Sequence, residues 1–174
     1  RRHGILVHAL IEHLADLAPA DRRGAAAAFL GARASRLSPQ QHDAIAADAV
    51  RVLEHEALAA LFGPASRGEA PLVGDIRDPA SGEPRAVSGQ VDRIVVGLEE
   101  IIVADFKTGA RRAGAPVPPS YLGQLALYRA LLAEAYPGRR VRTLLVWTAG
   151  PEIVEPDAAS LDAALLAAFA EAGA

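Results

Sequence analysis

Between residues 4 and 17 the apolar side chains Ile5, Leu6, Leu10, Leu14 and Leu17 recur at helical spacing, and Pro19 stops the run. Two Ala-rich helices are predicted next, over 21–34 and 38–62, the second opened by Ser38 as cap and Pro39 in its first turn. The period then changes. Segments 69–78, 85–96 and 100–107 are rich in Val and Ile, alternate in part, and are separated by Pro, Gly and Ser clusters, which predicts a three-stranded meander. A loop over 109–119, rich in Arg, Pro and Gly, leads to a predicted helix over 120–136, a strand over 141–147 and a last amphipathic helix over about 158–170. Helices, three strands, a helix and a strand in that order predict one α/β domain with both faces of its sheet covered. No internal repeat or interdomain linker divides the chain. It is expected to be a single domain over 1–174, helical over 1–66 and with its sheet-bearing core over 67–174.

Composition narrows the chemistry. A hydrophobic fraction of 51% over 174 residues is enough to bury a core without covalent staples. The absence of Cys excludes disulfides, thiolate zinc sites, cysteine nucleophiles and cysteine-ligated iron–sulfur clusters, and makes a cytoplasmic setting the default expectation. No apolar run reaches the ~18 residues of a membrane span, and no signal-peptide pattern follows the charged start. There is no Met, even at position 1, so the chain is expected to be a fragment of a larger protein. A net charge of −3 argues against a broad basic face for nucleic acid, so any such ligand would be held by local contacts or a helper domain. Arg111, Arg112, Arg139, Arg140 and Arg142 are candidates for local backbone contacts, with solvated surface as their default role.

Of the 18 basic Lys and Arg residues one is lysine, Lys107, at the end of a hydrophobic strand in the run Asp105-Phe106-Lys107-Thr108. An ammonium is a compact charge whose proton affinity shifts on burial, whereas guanidinium is always charged. If the second and third strands form a hairpin turning at Leu98-Glu99, one face carries the pairs Val96 with Ile101, Ile94 with Val103, Asp92 with Asp105, and Gln90 with Lys107. Two carboxylates then stand opposite each other, where like charges destabilise, so positive charge must be supplied. A slip of one residue would separate them onto opposite faces. Paired carboxylates beside an ammonium suit metal-assisted phosphodiester hydrolysis. A solvated strand end or an ion pair with Arg93 explains an isolated Asp-x-Lys better than catalysis does, and the pair of carboxylates in register brings the two readings level.

An acidic residue late in one strand, a hairpin, then Asp-x-Lys late in the next resembles the PD-(D/E)XK nuclease superfamily. The fuller set is similar to RecB-family nuclease domains: Gly4-Ile5-Leu6-Val7-His8, Glu69, Gly89-Gln90-Val91-Asp92-Arg93, Asp105-Phe106-Lys107-Thr108 and Gln124-Leu125-Ala126-Leu127-Tyr128, in family order. The run from Tyr121 to Arg129 and the strand with Val146-Trp147-Thr148 look most like the AddA branch, the helicase-nuclease subunits of bacterial double-strand-break repair. The resemblance implies a restriction-endonuclease-like αβββαβ core, a central mixed sheet flanked by helices. It also implies Mg²⁺ or Mn²⁺ held by His8, Asp92, Asp105 and the backbone carbonyl of Phe106. Asp92, Asp105 and Lys107 would be catalytic, Glu69 and Gln90 supporting, and Gln124, Tyr128 and Tyr121 would contact DNA. Val91 stands where the superfamily's name has proline.

The expectation is therefore a hydrolase, a metal-dependent exodeoxyribonuclease acting on DNA, preferentially single-stranded and 3′-terminated. The strand would be fed by helicase domains of the same protein, with an AddB-like partner subunit, no membrane and no iron–sulfur cluster. ATP would serve only the missing motor, since no P-loop occurs. Two alternatives stay open: an inactive nuclease-like module that docks or grips DNA, and a stand-alone restriction-type endonuclease.

Overall fold

The computed structural model describes residues 2–112 and 114–172. Three helices come first: α1 (Arg2–Leu14), α2 (Pro19–Arg33) and α3 (Pro39–Leu53). Ser38 starts α3 with a reciprocal capping box, accepting the Gln41 N–H at 3.3 Å while its own N–H donates to Gln41 Oε1 at 2.9 Å. The single long helix expected over 38–62 is broken. His55 adopts an extended conformation and a 3-10 segment follows over Glu56–Phe62, turning Leu58 and Leu61 back into the core that Leu53 already occupies.

The strands are β1 (Ser66–Arg77), β2 (Pro84–Val96), β3 (Glu100–Lys107), β4 (Arg140–Trp147) and β5 (Glu152–Val154), with α4 (Pro119–Ala135) between β3 and β4 and α5 (Ala158–Ala172) at the end. They form one sheet in the order β1-β2-β3-β4-β5. β3 and β4 run parallel, joined by the α4 crossover, and the other neighbours are antiparallel. The sheet is mixed, as expected. β5 was not foreseen, because three residues are too few to show an alternation. Near its turn the hairpin has the anticipated register, Ile94 opposing Val103 and Val96 opposing Ile101, with the Gly97 N–H donating to Glu100 O at 2.9 Å across Leu98-Glu99; the expected pairs of Asp92 with Asp105 and Gln90 with Lys107 lie beyond the ladder, which ends at Arg93 and Ala104.

Helices cover both faces. On one side Ile102, Ala104, Phe106, Leu144 and Val146 pack against α1, α2, α3 and the 3-10 segment. On the other, Ile101, Val103, Leu145 and Trp147 meet Leu125, Tyr128 and Leu132 of α4 and Leu161 of α5. β3 and β4 are thus buried on both faces, which is why they read as nearly continuous apolar runs. Among the described residues no helix is long and apolar enough to cross a membrane.

Candidate active site

β2 pairs with β3 only from Arg93↔Ala104 to Val96↔Ile101, whereas β3 continues to Lys107 along β4 and β2 extends back to Pro84 along β1. Asp92 stands at this fork. Its Oδ2 accepts the Phe106 N–H at 2.6 Å, so a side-chain carboxylate does what a neighbouring backbone carbonyl does elsewhere in the ladder. The alternation of faces slips at the same point: Val91 packs in the α4 layer, while Arg93, two residues on, faces α1 and the 3-10 segment. β1 adjusts in parallel at Glu69, whose φ of +47° is the one left-handed non-glycine conformation among the described residues.

This slip corrects part of the expected face. Asp105 and Lys107 do share the α4 side, with Nζ of Lys107 2.5 Å from Asp105 Oδ2. Gln90 does not oppose Lys107. It turns to β1, where its amide donates to Glu69 O at 3.2 Å and to Glu69 Oε2 at 2.5 Å. Asp92 points its other oxygen towards α1, with Oδ1 3.6 Å from His8 Nδ1, an ion-pair distance rather than a hydrogen bond. His8 reaches this point because α1 lies close to the end of β3: a Cβ on Gly4, one turn earlier, would be 2.5 Å from Thr108 Cγ2.

The four groups are electrostatically coupled. Burial alone would lower His8, but the carboxylate of Asp92, helped by Asp105 and Glu69, holds it above its ordinary 6.5. Burial pushes Asp105 above its ordinary 3.8, against the opposing pull of Lys107, and the charge of Asp92 adds to the rise. Lys107 thus supplies positive charge to the paired carboxylates on the α4 side, and His8 faces Asp92 with its imidazole on the α1 side. Arg93, considered as their partner from sequence, is occupied elsewhere. It is 3% exposed, lies 3.2 Å from Glu12 and over the Phe62 ring, and donates to Ser66 Oγ at 3.3 Å.

Lys107 is held on three sides: by Asp105, by Gln124 Oε1 at 3.3 Å, and by the Tyr121 ring, whose centroid is 4.0 Å from Nζ. Gln124 in turn donates to Tyr128 Oη at 3.0 Å, and Tyr128 donates to Gln90 O at 2.9 Å. A continuous polar chain therefore links Lys107 to Gln90 and Glu69. Tyr128 does not stand where a strand contact was expected. It is 5% exposed, its ring fills the space over Gly89 and its hydroxyl is committed to backbone, which makes it a support for the site. The arginine candidates are largely engaged within the protein: Arg111 pairs with Glu152 and lies over Trp147, Arg139 donates to Gly97 O, and Arg140 and Arg142 pair with Glu155, while Arg112 is exposed.

The donor chemistry of His8, Asp92 and Asp105 suits a hard divalent cation, and Asp105 Oδ2 is buried with no hydrogen bond of good geometry, its neighbour being the Lys107 ammonium. The expected ligands nevertheless do not form a closed cage: among the described residues no three His, Asp or Glu side chains are gathered as a metal-holding group. The cause is visible in the partners. Asp105 is neutralised by Lys107 and one oxygen of Asp92 is spent on the Phe106 N–H. The residues fit such an ion in kind.

Comparisons with known proteins bear on this geometry. The family model described as "PD-(D/E)XK nuclease superfamily" matches residues 1–172. The ATP-dependent helicase/nuclease of Streptococcus mutans, in its A-type subunit, is 33% identical over 89 residues, 50% of this chain and 7% of its own length. The corresponding protein from Streptococcus thermophilus is 31% identical over 87 residues, again 50% of this chain and 7% of its own. The chain therefore spans only about 7% of the length of these relatives. The crystal structure of SSO0001 aligns over 95% of this chain and 74% of that one, at 18% identity and a TM-score of 0.40.

Proposed function

The chain belongs to the PD-(D/E)XK nuclease superfamily, and on that basis we propose that it is a metal-dependent deoxyribonuclease domain, one unit over residues 1–174, that hydrolyses phosphodiester bonds of a DNA strand. The observation that carries the reading is the fork at Asp92: two coupled carboxylates, Asp92 and Asp105, flanked by Lys107 at 2.5 Å on one side and His8 at 3.6 Å on the other. Like charges brought close together destabilise a fold, and a fold keeps them where their charge is used.

His8, Asp92, Asp105 and the carbonyl of Phe106 would hold the ion, Mg²⁺ or Mn²⁺. When bound, a divalent cation supplies Lewis-acid charge to the scissile phosphate and raises the acidity of a water. The rest falls to the chain. Lys107, released from Asp105, holds the attacking water and offsets negative charge developing on the non-bridging oxygens. Gln124 and the Tyr121 ring keep the ammonium aimed as it moves, and Tyr128, Gln90 and Glu69 fix Gln124 in turn. Phe106, stacked on Phe62 and edge-on to His8, closes the apolar side of the site against water.

The relatives are called helicase/nuclease subunits, which supports a wider setting: a nuclease piece of an ATP-dependent machine that resects double-strand breaks in the cytoplasm, fed a 3′-terminated single strand and working with an AddB-like subunit. The test is Mg²⁺- or Mn²⁺-dependent digestion of single-stranded DNA by the wild type beside Lys107→Ala and Asp105→Ala. Removal of either group is expected to lower the rate by ~100-fold or more; equal rates in all three proteins refute the assignment.

A further inference from the structure

The groove that holds His8, Lys107 and Tyr121 does not stop at the catalytic pair. It runs along one face of α1, past Ile5, Ala9 and Glu12 at the spacing of successive helical turns, and ends against His13 of α1 and Phe29 and Arg33 of α2. Ile5 is 64% exposed in it, an apolar side chain left facing water beside a polar site. At the far end the His13 and Phe29 rings lie 5.0 Å apart at an interplanar angle of 30°, and the exposed guanidinium of Arg33 sits 5.2 Å from the Phe29 centroid. None of these three residues is used by the catalytic network.

Resting on the nuclease reading, we propose that this end of the groove is a base-stacking ledge for a nucleotide of the substrate strand, with Arg33 serving the phosphate beside it. The occupant follows from the chemistry. The exposed His13 ring, backed by half-buried Phe29 and flanked by the Arg33 guanidinium, presents a planar platform on which any nucleobase stacks without regard to sequence, whereas a duplex keeps its base faces hidden. Continuity supplies the second argument: the ledge lies in the same groove as the groups that would receive the scissile phosphate, so one unpaired strand engages both. A chain with net charge −3 gains its grip here from a local contact instead of a basic face.

The experiment compares binding of two fluorescent oligomers of equal length, oligo-dT and a fully abasic deoxyribose-phosphate chain, by anisotropy in Ca²⁺, with gels confirming that both stay intact. Phe29→Leu keeps an apolar side chain in the core and removes the ring; Arg33→Gln removes an exposed charge; Arg36→Gln, exposed and outside the groove, is the charge-matched control. Wild type is expected to prefer oligo-dT, and Phe29→Leu to lose about 5- to 100-fold towards its affinity for the abasic chain. Arg33→Gln weakens both oligomers and shallows the salt dependence, while Arg36→Gln matches wild type. Equal binding of both oligomers by wild type, or a Phe29→Leu variant that keeps the preference, overturns the ledge. A wild type that shows the preference yet cleaves nothing in Mg²⁺ or Mn²⁺ supports the ledge and refutes the hydrolytic reading instead.

Discussion

Replacing Glu12 by Gln removes the anion that faces a guanidinium almost wholly withdrawn from water. Arg93 is 3% exposed, and its charge is met by Glu12 at 3.2 Å, by the Phe62 ring and by one hydrogen bond to Ser66. At that separation the attraction amounts to about 1 kcal/mol with full water screening and about 5 kcal/mol at an effective dielectric of 20. The Glu12 side chain is 41% exposed, which places the cost in the lower part of that range, at roughly 1–3 kcal/mol. For a domain of this size that corresponds to a fall in Tm of about 3–8 °C. Arg93→Met, which leaves no buried charge, provides the check: in a double-mutant cycle Glu12→Gln is expected to cost nothing further once Arg93 is gone. The measurement is thermal unfolding by circular dichroism at low and high salt. A Glu12→Gln variant within 1 °C of wild type, or one whose cost is undiminished in the Arg93→Met background, would refute the claim that this pair clamps α1, and with it His8, to the sheet.

Two further outcomes are expected. Tyr128→Phe removes the link between Gln124 and Gln90 O, a part-buried hydrogen bond worth ~1 kcal/mol, and loosens the support of Lys107; single-turnover cleavage is expected to slow about tenfold with KM little changed, and an unaltered rate would count against the chain of supports. Glu155 is held below its ordinary 4.5 mainly by its hydrogen bond from Arg142, so the stability it contributes is present above 4.5 and is lost as pH falls through its depressed folded value. Denaturant titrations across that acid range are expected to show a shallower pH slope for Glu155→Gln than for wild type, and identical slopes would refute the pairing.

How far the sequence could be read depended on the length over which each physical signal repeats. β3 is legible at both ends because the five apolar residues Ile101 to Ala104 and Phe106, buried between two layers of helices, stand between Glu100 and Lys107 with Asp105 as the one polar residue inside the run. The hairpin register was legible because a two-residue turn and matched apolar pairs allow one alignment. The slip at Glu69 and Asp92 is not, since both strands skip one rung there and keep the same register on either side, which alters only which face a side chain takes. For that reason strict alternation puts Gln90 opposite Lys107, whereas its side chain pairs with Glu69. The spacing of Tyr128 from Gln124 is visible in the sequence and points both side chains the same way, while the space above Gly89 that accepts the Tyr128 ring is a tertiary fact. Phe29 and Arg33 lay within an Ala-rich helix whose pattern gave no sign of what α1 would set beside them.

A solitary ammonium is also an address. With one lysine among 174 residues, and that lysine clasped by Asp105, Gln124 and Tyr121, an amine-selective acylating reagent finds its single side-chain amine inside the cleft. The rate of that modification, followed by mass spectrometry, becomes a direct gauge of whether the clasp is shut or open, and it needs no label, no engineered residue and no turnover to be read.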